Sequence, residues 1–130
     1  MKAVYHHHTA KGHCPVRKFF NQYTDTRGKK ILTDIDAKIK HLVSLNGISK
    51  NLAKPLTGYS FLQLGIRKTK DILIRINFIR YRDLLVLLHA FEKPSNYDNA
   101  KVKKEVDKEY EIAEQHRLNF ISNPQSYEEY

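Results

Sequence analysis

The sequence has one cysteine and no long apolar segment, and both features exclude classes of protein. Cys14 alone cannot form an internal disulfide, which excludes a disulfide-stapled secreted domain and indicates a reducing compartment. The longest purely apolar run, residues 84–88, is far shorter than the roughly 18 residues of a membrane-spanning helix. Residues 1–5 carry a charge but no hydrophobic stretch follows them, so we expect no signal peptide and a cytoplasmic location.

Several site chemistries are also missing from the sequence. It has no glycine-rich phosphate loop, no nucleophilic serine or cysteine elbow, and no carboxylate pair. The run His6-His7-His8 suggests a metal site with His13 or Cys14. Consecutive side chains of an extended segment point to opposite faces, however, so three adjacent histidines cannot all bind one ion. We therefore expect neither a metal nor another cofactor.

Acidic residues are scarce in the first 91 positions, which contain 17 Lys and Arg but 5 Asp and Glu. Residues 92–130 reverse this balance, with 6 basic against 9 acidic residues, and the whole chain carries +9. A basic body with an acidic tail segment favours a polyanionic partner, because phosphate contacts release counterions and steer association. A solvated, highly soluble surface is the alternative explanation of the same charge.

The first half of the chain predicts a short strand followed by two helices. Val4, Tyr5 and Thr9 mark the strand, and Pro15 stands where a helix begins. Apolar residues then recur at helical spacing in two stripes, and Asn46-Gly47 ends the second helix. The stripes are Val16, Phe19, Phe20 and Tyr23, and then Ile31, Ile35, Ile39, Leu42 and Val43. Such stripes are usually core, so we expect both helices to pack on one sheet face.

Beyond the loop 48–60 the pattern changes to the alternation of β-strands. Residues 62–67 and 72–79 alternate, and residues 84–91 are almost entirely apolar, which predicts a central strand covered on both sides. A final helix follows from about residue 99 to 120. The prediction is one α+β domain over residues 1–121, with two N-terminal helices on one face of a mainly antiparallel sheet of about four strands, a C-terminal helix, and a flexible tail at 122–130.

Candidate functional residues lie on the predicted hairpin strands. Arg67 and Arg75 share the polar phase of neighbouring strands, so a cationic strip can form across one sheet face. The planar fork of arginine suits phosphate oxygens and stays charged at cellular pH. His89 can move a proton near neutrality, and Lys93 can neutralise developing negative charge. The alternatives are a solvated outer face for the arginines and lysine, and core packing for the histidine.

Ordered segments between about Val4 and Ala113 carry a family resemblance. The segments are Gly12-His13-Cys14-Pro15-Val16, Lys54-Pro55-Leu56, Leu64-Gly65-Ile66-Arg67, Ile74-Arg75-Ile76 and Leu87-Leu88-His89-Ala90-Phe91-Glu92-Lys93. In this order they resemble the RelE/ParE toxin superfamily, specifically its HigB-like, phage-derived branch, and the last segment resembles that family's Leu-Leu-His-Gly-Phe-x-Lys. Gly65 stands where the family has Glu before the first arginine.

The resemblance implies a RelE-like fold and a type II toxin that cleaves mRNA at the ribosome without a metal, and thereby inhibits translation. It also implies a helix-turn-helix antitoxin, similar to HigA, as the partner protein, with which a hetero-oligomer can form. The catalytic residues it indicates are Arg67, Arg75, His89 and Lys93, and the RNA-binding residues that we predict are Lys54, Lys68, Lys70, Arg80, Arg82 and Tyr97. Two other functions remain open, a ParE-like inhibitor of DNA gyrase without nuclease activity and an inactive toxin-like binding module. A nuclease requires the cationic groups on one face and not buried beneath another segment.

Overall fold

A six-stranded mixed sheet forms the centre of the chain in a computed structural model that describes residues 1–95 and 99–130. The elements in chain order are β1 (Lys2–His6), α1 (Pro15–Phe20), α2 (Thr26–Ser44), β2 (Ala53–Pro55), β3 (Leu62–Arg67), β4 (Ile72–Tyr81), β5 (Leu84–Pro94), α3 (Ala100–Ser122) and β6 (Tyr127–Glu129). The strand order is β2-β3-β4-β5-β1-β6, with β1 parallel to β5 and the other pairs antiparallel. The α+β class is confirmed. The sheet has six strands rather than the predicted number of about four. The sequence pattern did not indicate β2 and β6, because they have three residues each and are too short to show alternation.

Helices α1 and α2 cover one face of the sheet, which we call the lower face. Pro15 fits the first turn of α1, where its missing N–H costs nothing. Asp25 caps α2 by accepting a hydrogen bond from the Gly28 N–H at 2.6 Å. Gly47, at φ 73°, ends α2 in the left-handed region, where its N–H donates to the Leu42 carbonyl. The predicted stripe residues form the core here, as expected, together with apolar residues of β3, β4 and β5.

Helix α3 covers part of the opposite face, which we call the upper face. Val106, Ala113 and Phe120 recur every seventh residue and are buried, and the last two pack with apolar residues of β1, β4 and β5. Residues on both faces of β5 are therefore buried, in agreement with the prediction of a central strand covered on both sides. Among the described residues, no helix has both the length and the apolar character that crossing a membrane requires.

The last residues differ from the predicted flexible tail. Residues Tyr127–Glu129 form β6, which pairs antiparallel with β1. Glu129 forms an ion pair with Lys2 at 2.7 Å, and the Tyr130 hydroxyl donates to Asp36 of α2 at 2.6 Å. These contacts join positions more than 90 residues apart, so no local pattern in the sequence could indicate them.

The second half of β5 has a free edge, on which no strand of the described residues pairs. Strand β1 pairs with β5 only from Leu84 to Leu87, whereas β4 accompanies β5 as far as Pro94. A β-bulge between Asn77 and Phe78 shifts the register here, so His89 lies opposite Asn77. Residues 89–92 therefore form one wall of an open cleft of about 550 Å³, which α1 and α3 flank.

Candidate nucleic-acid interface

Three rows of paired residues define the candidate interface on the upper face. Because side chains alternate along a strand, residues paired in register project to the same side. The rows across β3, β4 and β5 are Gln63–Asn77–His89, Gly65–Arg75–Phe91 and Arg67–Leu73–Lys93. The four predicted catalytic residues consequently project from one face, two of them in the same row. The geometry meets the first of the two requirements set for a nuclease.

The side chain of Arg75 can extend across β3 because the paired residue, Gly65, has no side chain. A Cβ atom built on Gly65 would lie 2.1 Å from Nη1 of Arg75 and 3.3 Å from its Cζ. The guanidinium therefore lies across β3 in space that any other residue would fill. Its Nε is buried and, within residues 1–95 and 99–130, has no hydrogen-bond partner. This contact is a physical reason for a glycine at position 65, where the family that the chain resembles has glutamate.

Lys93 and Arg67 flank Arg75 in the neighbouring row. Lys93 is 6% exposed, and burial together with the charge of Arg75 lowers the pKa of its ammonium below 10.5. Arg75 pairs with Phe91, two residues from Lys93 on β5, so the two cations are diagonal neighbours across the strand pair. Arg67 is exposed at the end of β3, where its Nη1 donates to the Lys70 carbonyl at 2.9 Å and orders the turn. The three cations thus share one end of the sheet.

His89 lies beneath α3 and faces the cleft at the free edge of β5. Its Nε2 is hydrogen-bonded to the Glu109 carboxylate of α3, and its ring contacts the ring of His116 at 5.3 Å. Its side chain keeps 12% of its surface exposed. The second requirement for a nuclease, that the cationic groups are not buried beneath another segment, is met only in part. Helix α3 holds His89 and covers the face beside Lys93, whereas Arg67 is open to solvent.

The predicted RNA-binding residues do not form one surface. Lys54 of β2 is exposed and extends the first row, since it pairs with Gln63. Lys70 is exposed in the turn beside Arg67. Lys68, however, belongs to the lower face, where its ammonium pairs with the Glu92 carboxylate and lies 5.4 Å from the Tyr23 ring centre. Lys68 is therefore separated from the cationic face by the sheet itself.

Arg80 and Arg82 lie at the opposite end of β4 from the three cations. Arg80 pairs with Leu85 and packs beside Gly47 at the end of α2. Arg82 occupies the β4–β5 turn at φ 52°, where its guanidinium lies 5.3 Å from the Tyr81 ring centre. Arg80 lies five residues after Arg75, about 17 Å along the strand, and Arg82 lies farther still, so we do not expect these two arginines to contact the same phosphate as Arg75. Tyr97 lies outside the described residues.

Glu109 and His116 are contacts of His89 that sequence reasoning missed. They are seven residues apart on α3, and His116 is buried, with its Nδ1 2.9 Å from the Leu88 carbonyl oxygen. The helical repeat of Val106, Ala113 and Phe120 places Glu109 and His116 on the same side of α3, and this spacing is the signal that the sequence contains. The spacing does not show which strand that side of α3 packs on. The cleft also has Lys11 and Lys18 along it, from the loop before α1 and from α1.

The three adjacent histidines divide between the faces, as alternation requires. The rings of His6 and His8 lie 6.0 Å apart and both contact His116 on the upper face. His7 points to the other side, towards Cys14 and Glu128. Among the described residues, only these last three form a group with the spacing of metal ligands. The sequence-based prediction of no metal site did not include Glu128.

Comparison of the chain with protein-family models, with curated proteins and with solved structures yields no match in any of the three.

Proposed function

We propose that this chain is an RNA-directed toxin of the type II toxin–antitoxin class, which acts in the cytoplasm as a metal-independent endoribonuclease on mRNA at the ribosome and is restrained by a helix-turn-helix antitoxin. One observation carries the proposal. The Arg75 guanidinium lies over Gly65, with Arg67 and Lys93 in the adjacent row of the same sheet face. The ordered motifs described above and the net charge of +12 in residues 1–91 support it.

The arrangement suits a phosphate because its oxygens match the donors that the site presents. The Arg75 Nε is buried and, among the described residues, has no hydrogen-bond partner. A phosphodiester supplies oxygen acceptors to both guanidinium groups. Arg67, at the exposed side, gives RNA an accessible first contact.

The chemical step that fits this site needs no metal. The RNA 2′-hydroxyl loses its proton as its oxygen attacks the adjacent phosphorus, and the bond from phosphorus to the 5′-oxygen breaks. The 5′-oxygen takes up a proton, which leaves a 2′,3′-cyclic phosphate and a 5′-hydroxyl. The arginines and Lys93 stabilise charge on the non-bridging oxygens. His89, in the row beside Arg75, is the candidate proton carrier. Its Nε2 can exchange a proton with RNA only after the contact with Glu109 opens.

The test is a map of RNA 5′ ends after brief induction of the chain without antitoxin. We expect growth arrest and new 5′ ends within translated messages. Arg67→Ala and Arg75→Ala should each lower cleavage by about 100-fold or more, because each removes a preorganised donor. Arg27→Ala is the matched control, since Arg27 is an exposed arginine of α2. Unchanged transcripts, or equal cleavage by all three variants, would refute the proposal.

A second candidate is a toxin-like binding module that does not cleave RNA. The contact of α3 with His89 and its position beside Lys93 favour this function, because both groups would be held away from substrate. Such a module would bind the antitoxin and RNA but leave transcripts intact. A supercoiling assay in parallel separates both candidates from a gyrase inhibitor, since only the inhibitor changes supercoiling.

A further inference from the structure

Three potential metal ligands from distant parts of the sequence meet beside β1. His7 directly follows β1, Cys14 precedes α1, and Glu128 belongs to β6. Nδ1 of His7 lies 2.8 Å from Oε2 of Glu128 and 3.8 Å from Sγ of Cys14, and Sγ lies 3.1 Å from the same Oε2. All three atoms therefore surround one small volume.

The donor set and its spacing fit a zinc-class ion. Imidazole, thiolate and carboxylate are the three ligand types that Zn²⁺ takes in proteins. Bond lengths of about 2.0–2.3 Å around a tetrahedral ion place ligand atoms roughly 3.3–3.8 Å apart. The separation of Sγ from Nδ1 already has this value, and small rotations of His7 and Glu128 would widen the two shorter separations. The side chains of His7 and Glu128 are about one-third exposed, so water can occupy the fourth position.

The surroundings hold these ligands in place. Arg17 donates from Nη1 and Nη2 to the two carboxylate oxygens of Glu128, at 2.9 and 3.1 Å. The backbone of His7 is joined to the β6 side by two hydrogen bonds with Ser126. Cys14 is 1% exposed. A carboxylate oriented by an arginine and ligands fixed by backbone pairing are usual supports around metal ions.

We propose that His7, Cys14 and Glu128 bind one Zn²⁺ ion that fastens β6 to β1 and to the start of α1. On binding, the Cys14 thiol proton leaves to solvent and a Zn–S bond replaces its hydrogen bond to Glu128. His7 coordinates through Nδ1, and Arg17 keeps its contact with Oε1. The ion is structural and lies on the other side of β1 from His6 and His8, so it takes no part in RNA cleavage.

The test uses the full chain, stripped of metal, with Co²⁺ as a spectroscopic probe and Zn²⁺ as its competitor. We expect one Co²⁺ per chain, a thiolate-to-cobalt charge-transfer band, and displacement of that band by one equivalent of Zn²⁺. Cys14→Ser should abolish the band, and Glu128→Gln should weaken binding at least about tenfold. His41→Gln, at an exposed position of α2, should bind as the wild type does.

A melting curve with and without Zn²⁺ provides a second measurement that does not depend on cobalt. Zn²⁺ should raise the melting temperature of the wild type but not of Cys14→Ser, and circular dichroism at low temperature would show that the variant is folded. The proposal is overturned if no ion binds, or if binding survives Cys14→Ser and is lost instead in His116→Gln. The latter result would place the ion among the upper-face histidines.

Discussion

Two buried histidines on the upper face should make the protein lose stability in mild acid. His6 is fully buried and His116 is 3% exposed. Burial, with the charge of His8, lowers the pKa of His6 to about 4, and burial, with the charge of His89, lowers the pKa of His116 to about 3. Both rings are therefore neutral in the folded chain at pH values where the unfolded chain, with a pKa of 6.5, binds protons.

The size of the effect follows from proton linkage. Above about pH 6.5 the two histidines are neutral in both the folded and the unfolded state, so they do not change the free energy of unfolding. Below about pH 6.5 they bind protons in the unfolded state but not in the folded state, which lowers the free energy of unfolding. At about pH 5, one and a half pH units below the unfolded pKa, each histidine lowers the free energy of unfolding by about 2 kcal/mol. The pair together costs about 4 kcal/mol, a large part of the 5–15 kcal/mol typical of a domain.

Urea unfolding at about pH 7.5 and about pH 5 measures this loss directly. In His116→Gln, which retains a hydrogen-bond donor for the Leu88 carbonyl, the loss should shrink by about 2 kcal/mol. His41→Gln, at an exposed position of α2, should keep the full loss. The Glu128 carboxylate does not interfere, because Arg17 chiefly lowers its pKa to about 2 and its contribution disappears only below about pH 4.5. Equal stability at both pH values, or an undiminished loss in His116→Gln, would refute the reasoning.

Three further predictions concern the upper face. Gly65→Ala should move the Arg75 guanidinium, because the new Cβ takes its place. RNA binding in a filter assay should weaken, while the free energy of unfolding changes by no more than about 1 kcal/mol. Unchanged RNA binding would contradict this. Glu109→Gln should raise RNA cleavage, since a neutral amide holds His89 less strongly than a carboxylate does, and a decrease in a cleavage assay would show that Glu109 assists instead. Phe120→Ala should cost about 3–5 kcal/mol in urea unfolding, because the ring is fully buried between α3 and the sheet, and a cost under 1 kcal/mol would mean that α3 is only loosely attached.

Local periodicity was enough to locate the main elements of the fold. The spacing of Ile31, Ile35 and Ile39 indicated α2, and alternation indicated β3 and β4, because both patterns depend on residues only a few positions apart. The three-residue strands β2 and β6 were missed since they are too short for a pattern. The attachment of β6 depends on contacts across more than 100 residues, such as Lys2 with Glu129.

The candidate site was predictable in its face but not in its details. Alternation placed Arg67 and Arg75 on one side of the hairpin, and the structure agrees. The register that sets Gly65 opposite Arg75 depends on how two strands align, which alternation alone does not specify. The cover that Glu109 provides over His89 depends on where α3 docks, which is a tertiary choice. Lys68, one of the predicted RNA-binding residues, has the opposite phase to Arg67 and lies on the lower face.

The position of β1 has a consequence for how the chain folds as it is synthesised. Within the part of the chain that the structure describes, β1 pairs with β5 and β6, which follow it by about 80 and 120 residues. Because β1 is made before both partners, we expect it to remain unpaired while the β3–β4–β5 meander, whose neighbours are close in sequence, assembles. The pairing of β1 with β5 is therefore a late, non-local step. Until it occurs, the newly made protein exposes the β5 edge, which can pair wrongly with another chain.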